Sequence, residues 1–120
     1  MAAIRHLALR ANDPDALAEF YVKAFGLREV HRHKSVTGPG AAVYLSDGYL
    51  NLAIIPAREA PEGLFHFGIA VDDITEAHGA ALAAGAVAQT DVLPADGRFT
   101  ETYVTDPAGI RIDLATGWGV

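Results

Sequence analysis

The sequence contains the same pattern twice, at a spacing of 60 positions. His6 opens a stretch that alternates between two kinds of side chain and runs to Asp13, and His66 opens a similar stretch that runs to Asp73. Such alternation is typical of a β-strand, and each aspartate stands where it can cap a following helix. An internal repeat of this kind predicts two copies of one structural unit.

The first copy, about residues 1–58, predicts the order β-α-β-β-β. In the first strand, residues 6, 8 and 10 are polar or small and should line a cavity or face water, while residues 7, 9 and 11 are apolar and should pack on a helix. Asp13 and Pro14 indicate the start of the helix, and Gly26 indicates its end. An apolar stripe that includes Phe20 and Phe25 should face the core.

The second copy, about residues 63–120, follows the same order. Tyr44–Asp47 matches Tyr103–Asp106 at a spacing of 59 positions, so the repeat covers the hairpins as well as the helix. The elements predicted in the two copies are strands 3–11, 27–36, 41–45, 49–56, 65–71, 86–93, 99–105 and 110–115, with helices from 14 to about 25 and 74–84. We therefore expect a single domain over residues 1–120 of the α+β class.

Composition excludes several classes of function. The 120 residues carry a net charge of −6 without a run of basic residues, which argues against binding to nucleic acid or to anionic membranes. There are no cysteines, so disulfides and thiolate chemistry are excluded. No signal peptide and no apolar stretch of about 20 residues is visible, and the expected location is the cytoplasm.

Two β-α-β-β-β units in a chain of this length resemble the vicinal-oxygen-chelate superfamily of glyoxalases, extradiol dioxygenases, methylmalonyl-CoA epimerases, and fosfomycin and bleomycin resistance proteins. The resemblance covers nearly the whole chain. It is carried by residues 6–9 before Asp13-Pro14, then 18–21 with 25–27, and in the second copy by 66–73 and 106–114. It implies curved, cup-like mixed sheets with the helices outside, and a homodimer.

The resemblance also implies a metal site. By position, His6 and His66 match the ligands that the family takes from the first strand of each unit, and Asp113 falls where the last strand usually carries glutamate. Two imidazoles and one carboxylate suit a divalent ion such as Fe, Mn, Ni, Co or Zn. In the first unit we align Asn51 with Asp113 by strand parity. The alternative is that the two histidines bond to backbone and that Asp113 pairs with Arg111 on its own strand face.

Three other residues are candidates for binding a substrate: Arg10, Asn51 and Tyr103. Arg10 could bind a carboxylate or phosphonate, although a solvated strand-end arginine is equally compatible. Asn51 could hydrogen-bond to a substrate or to a metal-bound water. For Tyr103, the alternative to substrate binding is a packing role. His31 and His33 share a strand face, but the sequence offers no third metal ligand near them. No catalytic acid or base is identified.

Two classes of function follow. The first is a metal-dependent enzyme, a dioxygenase or lyase of the glyoxalase type, acting on a small molecule that chelates the metal through oxygens. The second is a metal-free protein that binds a drug or metabolite, as bleomycin resistance proteins do. The absence of a second carboxylate ligand favours the two-histidine, one-carboxylate set of dioxygenases and fosfomycin-modifying enzymes over the four-ligand set of glyoxalases.

Overall fold

The computed structural model describes residues 2–34, 41–88 and 102–120, which form eight strands and two helices. In chain order these elements are β1 (Ala3–Ala11), α1 (Pro14–Phe25), β2 (Arg28–Lys34), β3 (Ala41–Ser46), β4 (Asn51–Pro56), β5 (Gly63–Ala70), α2 (Ile74–Ala83), β6 (Val87–Ala88), β7 (Thr102–Thr105) and β8 (Arg111–Ala115). The α+β class and the repeated β-α-β-β-β order are confirmed. Residues 35–36, 89–93 and 99–101, which belong to three of the predicted strands, lie outside the described residues.

The chain divides into two compact units. The first unit comprises His6–Phe65 with Gly119–Val120, and the second comprises Met1–Arg5 with His66–Trp118. In the first unit the strand order is β2-β3-β4-β1, with β1 parallel to β4 and the other pairs antiparallel. In the second unit the order is β6-β7-β8-β5, with β5 parallel to β8 and the other pairs antiparallel. The two sheets therefore have the same topology.

Both helices begin as the sequence predicts. The Asp13 carboxylate accepts a hydrogen bond of 3.1 Å from the Ala16 backbone N–H, and Asp73 accepts one of 2.9 Å from Glu76. Each bond satisfies a donor that the first helical turn leaves unpaired. Gly26 ends α1 in the left-handed conformation at φ 71°. Neither α1 nor α2, the helices of the described residues, is long and apolar enough to cross a membrane.

The core of the first unit lies between α1 and the sheet. Its buried members come from β1, α1, β3 and β4, and they are Ala11, Ala18, Val43, Leu45 and Ile54. Of the predicted apolar stripe, Leu17 and Tyr21 pack against this core. Phe20 and Phe25 are instead 53% and 68% exposed. In the second unit Leu114 of β8 is buried, whereas Ile110, which has the parity of the same strand face but precedes β8, is 49% exposed.

The turn between β3 and β4 depends on an ionised aspartate. The Asp47 carboxylate accepts hydrogen bonds of 2.8 Å from the backbone N–H groups of Leu50 and Tyr49, which lower the pKa of Asp47 from its usual value. Because the carboxylate pKa is depressed on folding, its stabilisation is present above the unfolded-state pKa and is lost as pH falls through the folded-state pKa. This turn precedes Asn51 and so helps to set where β4 begins.

We expect Asp47→Ala to lower the melting temperature at neutral pH by an amount that shrinks in acid. Asp47→Asn is the matched control, because it keeps a neutral acceptor for both N–H groups. Melting curves from about pH 7 down to below the usual aspartate pKa of about 3.9 would check this. A melting-temperature difference between wild type and Asp47→Ala that stays constant over that range would contradict the role of the charge.

Candidate metal centre

In the first unit, His6 and Asn51 lie directly opposite each other on the parallel strands β1 and β4. Both are buried, at 2% and 3% exposure. His6 Nδ1 is 3.0 Å from Asn51 Oδ1, and Asn51 Nδ2 donates a hydrogen bond of 2.8 Å to the Gly119 carbonyl. Asn51 therefore uses both ends of its amide within the protein.

In the second unit, His66 and Asp113 are in contact. His66 Nε2 is 3.0 Å from Asp113 Oδ2, and their side chains are 6% and 0% exposed. Asp113 lies on β8 opposite Gly68 of β5, the strand that carries His66. Because Gly68 has no side chain, it leaves space beside Asp113. A carboxylate this deeply buried requires partners for its charge.

Arg111 supplies one of these partners. Its Nε donates a hydrogen bond of 2.7 Å to Asp113 Oδ1, and its guanidinium lies 3.9 Å from the centre of the Tyr103 ring. The pairing of Asp113 with Arg111, the alternative that the shared strand face predicts, is thus observed. The same guanidinium donates a longer hydrogen bond of 3.4 Å from Nη2 to Oδ2, so Oδ2 contacts both His66 and Arg111.

The strand register corrects the alignment of Asn51 with Asp113. Tyr44 pairs with Ala53 between β3 and β4, while its repeat counterpart Tyr103 pairs with Asp113 between β7 and β8. The first-unit counterpart of Asp113 is therefore Ala53. By the same spacing of 60 positions, the counterpart of Asn51 is Arg111. The predicted alignment was therefore wrong by two residues. Strand parity could not detect this error, because residues i and i+2 of a strand share the same face.

The remaining candidates lie elsewhere. Arg10 stacks its guanidinium 3.5 Å from the centre of the Phe65 ring and is half-buried, so it is held by an aromatic face. His31 stacks against Tyr44 at 5.5 Å between ring centres, and His33 lies on the same exposed strand. Arg32 between them pairs with Glu29 and Asp15, which raise its pKa.

A family model described as a glyoxalase-like domain matches residues 6–115. The chain belongs to the glyoxalase-like domain family. This family lies within the vicinal-oxygen-chelate superfamily, so the resemblance found in the sequence is confirmed. None of the curated proteins compared with this glyoxalase-like chain matches it.

Solved structures share the fold of this glyoxalase-like protein at low sequence identity. A hypothetical protein from Bacillus halodurans has a TM-score of 0.79 at 15% identity, covering 99% of this chain and 96% of that chain. Methylmalonyl-CoA epimerase from Mycobacterium tuberculosis has a TM-score of 0.77 at 14% identity, covering 97% and 88%. A Streptomyces coelicolor methylmalonyl-CoA epimerase variant in complex with 2-nitronate-propionyl-CoA has a TM-score of 0.74 at 19% identity, covering 97% of each chain. These identities establish the fold alone.

Proposed function

We propose that this glyoxalase-like protein is a divalent-metal-dependent enzyme that acts on a small substrate able to chelate the metal through two oxygens. The proposed ligands are His6, His66 and Asp113, each of which offers one ligand atom. The observation that carries the proposal is the contact of 3.0 Å between His66 Nε2 and Asp113 Oδ2 in a buried position.

The donor atoms fit a first-row divalent ion. Nitrogen and oxygen ligands bind such ions at about 2.0–2.2 Å, so two ligands at a right angle stand about 3 Å apart. The separation of His66 Nε2 and Asp113 Oδ2 matches that value. Without metal the same distance suits a hydrogen bond from His66 Nε2 to Asp113 Oδ2, and for the neutral imidazole to bind metal through Nε2 this hydrogen would move to Nδ1.

Each proposed ligand has a defined task. The bound metal would supply a Lewis acid that polarises substrate oxygens and stabilises the negative charge that develops on them. The two histidines would donate as neutral imidazoles, and Asp113 would offset part of the ionic charge. Arg111 donates to both oxygens of Asp113, at 2.7 Å to Oδ1 and at 3.4 Å to Oδ2, so Oδ2 is the less closely held oxygen and is the proposed metal ligand.

Arg10 and Tyr103 are the proposed substrate contacts. A guanidinium suits a carboxylate or phosphate group on the substrate, and the stacking of Arg10 on Phe65 would restrict where it can reach. The epimerase neighbours bear names that specify a CoA thioester, and an acyl thioester with a second carbonyl or carboxylate is one chelating substrate that would fit this chemistry. We also propose a homodimer, which the molar mass in solution would decide.

A metal-free binding protein of the bleomycin resistance type is the second candidate, and one observation favours it. The Arg111 guanidinium already neutralises Asp113, so the buried carboxylate has a partner without any metal. The chain would then bind a drug or metabolite by shape and charge, and its net charge of −6 would suit a cationic ligand. Such binding would be insensitive to chelators.

Titration of tag-free protein with Mn²⁺, Co²⁺, Ni²⁺ and Zn²⁺ would separate the two functions. We expect one site per chain in wild type and no tight site in His6→Ala or His66→Ala. His31→Ala and His33→Ala are matched controls, because these histidines lie on an exposed strand, and both variants should bind as wild type does. Catechol, a bidentate oxygen chelator, should bind only to the metal-loaded protein. If the wild-type protein binds none of the four ions, the proposal of a metal-dependent enzyme is wrong, and the metal-free binding protein becomes the favoured function.

A further inference from the structure

We propose that Asn51 is a positioning residue that fixes the tautomer of His6, so that His6 offers Nε2 as its metal-binding nitrogen. This inference deepens the proposed function, since the metal is what Nε2 would bind. Asn51 would thus orient a metal ligand, whereas the sequence analysis proposed that it contacts a substrate.

The orientation of the Asn51 amide follows from its second partner. Gly119 presents a backbone carbonyl, which can only accept a hydrogen bond, and Asn51 Nδ2 lies 2.8 Å from it. If the amide turned over, its own oxygen would face that carbonyl oxygen and both would be left without a donor. The Gly119 contact therefore holds Oδ1 toward His6.

This orientation determines which nitrogen of His6 carries the proton. Amide oxygen Oδ1 accepts and cannot donate, so the 3.0 Å contact requires a hydrogen on His6 Nδ1. A neutral imidazole with its hydrogen on Nδ1 has its lone pair on Nε2, the form that a metal ion binds. Both residues are buried, at 2% and 3% exposure, so water does not readily substitute for the amide.

The equivalent position in the second repeat has an analogous part. Arg111, the counterpart of Asn51, donates to Oδ1 of Asp113 at 2.7 Å and to Oδ2, which also contacts His66, at 3.4 Å. In each unit the side chain at this position thus bonds directly to a proposed ligand. A neutral partner such as Asn51 orients a metal ligand without competing for its charge, and loss of such a partner typically weakens metal binding by about 10–100-fold.

The direct test is nitrogen NMR of His6 in the metal-free protein at about pH 8, where an ordinary imidazole is neutral. We expect wild type to show the hydrogen on Nδ1, and Asn51→Leu to lose that preference. Asn51→Asp keeps an acceptor for Nδ1 and should restore it. Ser46→Ala is the matched control, because Ser46 is buried on β3 directly opposite Asn51, whereas the oxygen that accepts from His6 belongs to Asn51. This variant should leave the tautomer of His6 unchanged.

Metal titration of the same variants gives the second readout. Asn51→Leu should bind about 10–100-fold more weakly than wild type, and Ser46→Ala should bind as wild type does. A hydrogen on Nε2 of His6 in wild type would overturn the positioning role without the need for any variant. If wild type shows the expected tautomer but binds no metal, the proposed function fails, and with it the purpose assigned to Asn51.

Discussion

Asp113→Asn is expected to weaken metal binding by more than the factor of about 10–100 that typically follows loss of an outer partner. The reason is that Asp113 provides the only negative charge among the three proposed ligands, and asparagine has nearly the same shape without the charge. The fold should persist, because β8 is anchored by Leu114 on its opposite face, at 5% exposure. Burial of such a side chain contributes about 1.5–3 kcal/mol.

Asp106→Asn is the matched control for this prediction. It removes the same charge from the turn that leads into β8, where Asp106 Oδ1 accepts hydrogen bonds from the backbone N–H groups of Ala108 and Ile110. Metal titration and circular dichroism of both variants would separate a lost ligand from a general loss of charge. Equal affinity in Asp113→Asn and Asp106→Asn would show that Asp113 is not a ligand.

Arg111→Met is expected to lower the free energy of unfolding of the metal-free protein by about 3 kcal/mol. Asp113 is fully buried, and this change removes the cation that donates to its Oδ1 at 2.7 Å. A divalent ion bound at Oδ2 would supply positive charge in its place. We therefore expect metal to raise the melting temperature of Arg111→Met by more than it raises that of wild type.

Arg28→Met controls for the loss of a positive charge, because Arg28 is exposed on β2. It should change neither the unfolding free energy nor the response to metal. Chemical denaturation with and without Mn²⁺ measures both quantities for each variant. If metal stabilises Arg111→Met and wild type by the same amount, the ion and the guanidinium do not act on the same carboxylate.

Much of the fold is predictable because its signals are local. A capping aspartate, a proline in the first turn and a glycine that can adopt positive φ act within a few residues, and Asp13, Pro14 and Gly26 behave as their types predict. The repeat extends these local signals to the whole chain, because each element predicted in one copy supports its counterpart in the other. The repeated topology of the two sheets follows from the same regularity.

Exposure is less predictable, because the amphipathic pattern of a helix does not say how much of its apolar face the sheet covers. Phe20 and Phe25 belong to the same stripe as Leu17 and Tyr21, yet only the latter two pack against the core of the first unit. Ile110 continues the apolar face of β8 by parity, but it lies one residue before the strand begins. The periodicity of apolar residues predicts which face of a helix or strand they share, but the neighbouring element determines how many of them are buried.

The error over Asn51 has a similar origin. Parity selects a face of β4 but not a position along it, whereas the register of β3 against β4 pairs Ala53 with Tyr44. The spacing of 60 positions that relates His6 to His66 also relates Ala53 to Asp113, and it would have identified the counterpart from sequence alone. The contact between Asn51 and Gly119 joins positions 68 residues apart, and no local pattern predicts it.

Anomalous diffraction from crystals grown with Co²⁺ would show whether His6, His66 and Asp113 bind one metal ion, as we propose. We expect one strong peak per chain at the absorption edge of cobalt, at about 2.0–2.2 Å from His6 Nε2, His66 Nε2 and Asp113 Oδ2. No peak at these atoms in crystals that carry cobalt elsewhere, for instance at the exposed His31 and His33, would contradict it.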